Sequence, residues 1–64
     1  MNIWKVKEII KFIENDGWYL RRYKGSHRHF KHSIKKGIVT VPGKLSDDLD
    51  ANTAKSILTQ AGLI

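Results

Sequence analysis

A chain of 64 residues carries 12 Lys and Arg against 6 Asp and Glu, for a formal net charge of +6, and has no cysteine. A domain this small buries only roughly 60% of the surface its unfolded chain exposes, so its core is thin, and the lack of cysteine excludes disulfides and thiol chemistry. No apolar run approaches the ~20 residues of a bilayer span and no export signal is visible at the start, so a cytoplasmic protein without a membrane partner is expected.

In chain order, Val6, Ile9, Ile10 and Ile13 recur at helical spacing and predict an amphipathic helix, with Lys5, Lys7, Glu8, Lys11 and Glu14 turned to water. "NDG" at 15–17 ends it, because glycine adopts the left-handed backbone of a helix C-terminus without a Cβ penalty. Trp18 to Lys24 reads as a strand, with Trp18, Leu20 and Arg22 on one face and Tyr19, Arg21 and Tyr23 on the other. "KGS" at 24–26 predicts a hairpin turn. His27 to Ile34 alternates again: Phe30, His32 and Ile34 share one face, His27, His29, Lys31 and Ser33 the opposite one. "KKG" at 35–37 predicts a second short hairpin, and Gly37 to Val41 a third strand ended by Pro42. A polar connection follows over 42–53. Ala54, Ile57, Leu58 and Ala61 then repeat the helical stripe, with Asp50, Asn52 or Thr53 as N-cap and Gly62 as the stop.

The predicted fold class is α+β, one domain over residues 1–64 in the order helix-strand-strand-strand-helix, with a three-stranded antiparallel sheet. Each helix has a single apolar stripe and neither shields two faces, so both pack on one side of the sheet and leave the other open. With Leu20, Phe30 and Ile34 toward the helices, the open face carries Tyr19, Arg21, Tyr23, His27, His29 and Lys31. Aromatic rings among cations suit stacked bases and their phosphates.

Charge distribution points the same way. From Gly17 to Lys44 there are eight basic residues and no acidic one, a footprint for a polyanion that neutralised phosphates would occupy. Tyr19, Arg21, Arg22, Tyr23, Lys24, Arg28 and Lys31 are the candidate RNA-binding residues. A solubilising surface is the plainer explanation of such a block.

Three histidines crowd this region. A metal site is not expected: His27 and His29 share a face, His32 emerges from the other, and no acid follows until Asp47. No cofactor is expected either. His32 reads as an ordinary half-buried residue. His27, directly after Gly25 and Ser26 and among cations, is the candidate catalytic residue, since imidazole both takes and returns a proton near neutrality. RNA supplies a suitable proton on the ribose 2′-hydroxyl, and neighbouring Arg and Lys stabilise charge developing on the phosphoryl oxygens. The second proton carrier is left open among His29, a lysine and water, with His29 the candidate side chain.

"GSHRHFKH" after a helix ending in "DGW", the later "VTVPGK" and the closing "AKSILTQAGL" together resemble the HicA family of toxin–antitoxin mRNA interferases, from about Lys7 to Leu63. The resemblance implies a fold like the double-stranded RNA-binding domain, ribonuclease activity that blocks translation, a catalytic histidine at His27, and a HicB antitoxin that masks it. Gly25 and Ser26 carry over as positioning residues. The chain departs from the family pattern at Ser33-Ile34, where a proline or other turn former is usual.

A non-catalytic RNA-binding module of the same fold is the alternative. Such modules grip phosphates with lysines at the start of the second helix, where this chain has "DDLDANTAKS", acidic but for Lys55. A DNA-binding regulator ranks last, because no helix-turn-helix pair is visible and the basic residues fall on strands. Trp4 and Trp18 are candidate apolar anchors for a protein partner, or else core packing.

Overall fold

The computed structural model describes residues 3–64. The chain forms α1 (Val6–Asn15), β1 (Tyr19–Lys24), β2 (His27–Lys31), β3 (Val39–Pro42) and α2 (Ala51–Gln60). The strands make one antiparallel sheet in the order β1-β2-β3. Both helical stripes are buried as their spacing requires, Val6, Ile9, Ile10 and Ile13 from α1 and Ala54, Ile57, Leu58 and Ala61 beside or within α2. They close on Phe30, Val39 and Val41 from the sheet, with Trp18 and Leu49 completing the cluster. Each large side chain buried there contributes about 1.5–3 kcal/mol.

The helices cover β2 and β3 and stop short of β1, whose residues are all exposed. Leu20 therefore faces the helix side yet remains 49% exposed. The β1–β2 turn is the expected one. Lys24 pairs with His27 across Gly25-Ser26, and Gly25 has φ +60° while Ser26 has none of that positive sign, the pattern of a two-residue hairpin loop with glycine first.

The second turn differs from expectation. β2 stops at Lys31, and residues 32–38 form a connection in place of a tight hairpin at 35–37. The cause is His32. Its Nδ1 accepts the backbone N–H groups of Ile34 and Lys35, both at 3.0 Å, which puts the ring proton on Nε2 to donate to the Asp16 carbonyl at 2.6 Å. The amides that a longer strand would use are thus taken by a ring. Ile34, expected beneath the helices, is 85% exposed as a result.

The same cluster closes the molecule at this end. Lys35 donates to the Asp16 carboxylate and the Ala61 carbonyl, and the Trp18 indole N–H donates to that carbonyl at 3.3 Å. Trp18 precedes β1 and meets the His32 ring edge-on, with centroids 5.1 Å apart. It belongs to the core. Trp4 is half-buried against Phe12, at 5.3 Å between centroids.

The expected polar connection before α2 is a strap. Leu45 and Asp47 offer their carbonyls to the N–H groups of Lys7 and Val6 at 3.1 and 2.9 Å, and the Leu49 N–H donates to the Trp4 carbonyl at 2.8 Å. The first amides of α1, which have no partner within the helix, are satisfied this way. Asp50 caps α2 by accepting the Thr53 N–H on Oδ1 at 2.6 Å. At the outer edge of the sheet Pro42 lies within β3, where its missing donor faces no partner strand, and the Thr40 N–H donates to Gln60 Oε1 at 3.2 Å.

Candidate nucleic-acid interface

Register decides which side chains share the open face. Phe30 is buried beneath the helices, so its neighbours along β2, His29 and Lys31, point the other way, and His27 with them. Three cross-strand rows result: Lys24, His27 and Pro42; Arg22, His29 and Thr40; Tyr19 and Lys31. The strands between Gly17 and Lys44 bring no acid to this face.

A β-bulge changes the membership of the face. Leu20 pairs with Phe30 and Arg22 with His29, so Arg21 and Arg22 together oppose a single residue. Past the bulge, β1 runs one position out of the predicted alternation. Tyr23, expected on the open face, pairs with Arg28 on the helix side, and Arg22 and Lys24 take up the open face. Tyr19, His27, His29 and Lys31 stand where the alternation predicts.

Arg21, Arg22, His29, Lys31 and Ile38 line a groove of about 390 Å³. His27 is exposed, at the hairpin end of the row that contains Lys24. His29 is half-buried and held by Thr40, whose Oγ1 lies 3.2 Å from Nδ1. His27 and His29 are two residues apart on one face of β2, a backbone spacing of about 6.8 Å. Gly25 and Ser26 form the turn from which β2 starts at His27, and the Ser26 carbonyl accepts the Gly43 N–H at 3.0 Å, tying the hairpin to the end of β3.

Arg28 and Tyr23 serve the other side of the sheet. The Arg28 guanidinium lies over the Tyr23 ring, 4.6 Å from its centroid, and donates from Nη1 to the Gly43 carbonyl at 2.9 Å. His32 is committed to backbone groups at the far end of β2. Among the described residues no group of three or more His, Cys, Asp or Glu side chains converges as metal ligands.

Thr40 and Ile38 border His29 and lie outside the residues that the sequence singles out. Thr40 had a signal: in "VTVP" it is the polar residue between two core valines and so faces away from the helices with His29. Ile38, in the irregular connection, had none.

Among the described residues no helix is long and apolar enough to cross a membrane. Comparison with curated proteins finds no match. The family model described as the HicA toxin of bacterial toxin-antitoxin matches residues 6–63. With that match spanning α1 to the end of α2, on a sheet whose uncovered face is cationic, the chain belongs to the HicA toxin family and is the toxin half of a bacterial toxin–antitoxin pair.

Proposed function

We propose that this toxin is an endoribonuclease that cleaves mRNA and so inhibits translation, with His27 as its catalytic acid–base and a HicB-type antitoxin as its inhibitor. The whole chain, 1–64, is then one RNA-binding and cleaving domain. The observation that carries the reading is an exposed imidazole at a hairpin end, on a face where every charged neighbour is a cation. Membership of a toxin family supports it.

The chemistry follows from that setting. His27 takes the proton of the ribose 2′-hydroxyl, the 2′-oxygen forms a bond to phosphorus, and the bond from phosphorus to the 5′-oxygen breaks. A second carrier, His29 in this scheme, gives a proton to the departing 5′-oxygen. The products are a 2′,3′-cyclic phosphate and a free 5′-hydroxyl. Lys24, in the same row as His27, stabilises the charge that grows on the phosphoryl oxygens, while Tyr19, Arg21, Arg22 and Lys31 hold the strand. Gly25 and Ser26 position His27 through the turn. Arg28 and Tyr23, on the helix side, stiffen the hairpin.

A binding-only module is less well supported, because the segment leading into α2 carries Asp47, Asp48 and Asp50 where such a module needs cations, and Asp50 is occupied as the cap. The deciding experiment incubates the purified protein and its His27→Ala variant with a defined RNA in chelator. Cleavage by the wild type to 2′,3′-cyclic ends, reduced about 10²–10⁴-fold in the variant with circular dichroism unchanged, is expected. Equal cleavage by both would exclude His27 as the catalytic group.

A further inference from the structure

Two consecutive residues of a regular strand point to opposite faces. Arg21 and Arg22 do not obey this, because the bulge sets both against His29 and both line the groove with Lys31 and Ile38. Bulges re-aim side chains in this way, and they concentrate next to functional sites. Three cations, two of them guanidinium groups with paired donors, thus line one groove with His29. Guanidinium geometry matches two phosphate oxygens at once. Ile38, 51% exposed, gives the same groove an apolar wall.

We infer that Arg21, Arg22 and Lys31 form a phosphate-binding subsite beside His29, which seats the phosphate one nucleotide away from the one at His27 while Ile38 packs on the adjoining base. The inference rests on the reading of the open face as the strand-binding surface, and deepens it. The spacing of His27 and His29 along β2, about 6.8 Å, is comparable with the phosphate repeat of an extended single strand. A short RNA laid along β2 thus meets His27 with one phosphate and the arginine pair with the next. The acidic segments of a protein partner are the competing occupants. The two arginines in one groove and its apolar wall favour a nucleotide, which offers tetrahedral anion and flat base together.

The test is binding, so that it stands whether or not the protein cleaves RNA. Fluorescein-labelled hexauridylate is titrated into the His27→Ala chain at several salt concentrations. Adding Arg22→Gln or Arg21→Gln is expected to weaken binding about tenfold, and to reduce the slope of log affinity against log salt by about 0.7 for each phosphate no longer neutralised. Arg22→Lys should lower affinity while keeping the slope, because charge persists and the paired donors do not. Deleting Arg21 restores a regular strand and should cost as much as Arg21→Gln. Lys11→Gln, on the exposed side of α1, is the control and should change neither quantity by more than about twofold. If the arginine variants match that control, the subsite is refuted. Poly-glutamate that displaces the RNA with the same dependence on Arg22 would refute it too, and assign the groove to a protein partner. Wild-type protein that binds as expected but leaves RNA intact would overturn the nuclease reading alone.

Discussion

His32 shows how one side chain sets the course of the chain. Its ring replaces strand partners for two amides, and it lies so close to α1 that a Cβ on Gly17 would sit 2.8 Å from Nε2. Gly17 also has φ +103°, which L side chains rarely adopt. Gly17→Ala is therefore expected to destabilise the fold by about 1–3 kcal/mol, read from urea unfolding, without altering the open face. Beside it, the hydrogen bond from Lys35 holds the Asp16 carboxyl below the usual carboxylate range. A carboxyl depressed in the folded state stabilises at pH above its unfolded pKa, about 3.9, and loses that contribution as pH falls through the lower folded value. Asp16→Asn should accordingly be less stable than wild type at pH 7, with a flatter stability curve below about pH 4, measured by unfolding across that range. Much at this scale was legible. His27 and His29 fall on one face because alternation is a local property, and Gly25 marks its turn because only glycine fits there cheaply. The bulge at Arg21 was not legible, since it contains neither glycine nor proline. Neither was the end of β2, where His32 and Ile34 continue the alternation that the ring of His32 interrupts.

Between elements, the strap over 44–50 is what the sequence most understates. Its acids and short polar residues suggest a solvated loop, yet Leu49 is 7% exposed and packed in the core while Leu45 is 49% exposed. Leu49→Ala is expected to cost about 2–5 kcal/mol and Leu45→Ala no more than about 0.5, a contrast that a purely solvated loop would not give in denaturant titrations. The two helices were readable because their stripes match a 3.6-residue period over two or three turns. Their reach across the sheet was not, because a stripe tells which face is covered and says nothing of how far. Leu20 has the position of a core residue and lacks a helix above it.

For the whole molecule, cations occupy the open sheet face while Asp47, Asp48 and Asp50 cluster on the strap and the start of α2, where Asp48 already pairs with Lys5 at 2.9 Å. An antitoxin that covers the cationic face must bring acids of its own. Its complex with this toxin is expected to weaken steeply as salt rises from about 0.05 to 0.5 M, measured by calorimetry, whereas affinity flat over that range would indicate an apolar contact. The strap has one more consequence, for which groups are left to meet an anion. Proteins commonly lodge a phosphate on the bare amides that begin a helix. In α1 those amides are engaged by Leu45 and Asp47 from within the chain itself. On the proposed reading, the hold on RNA therefore falls to the guanidinium and ammonium groups of the sheet, and substitution should dismantle it piece by piece while the scaffold beneath stays whole.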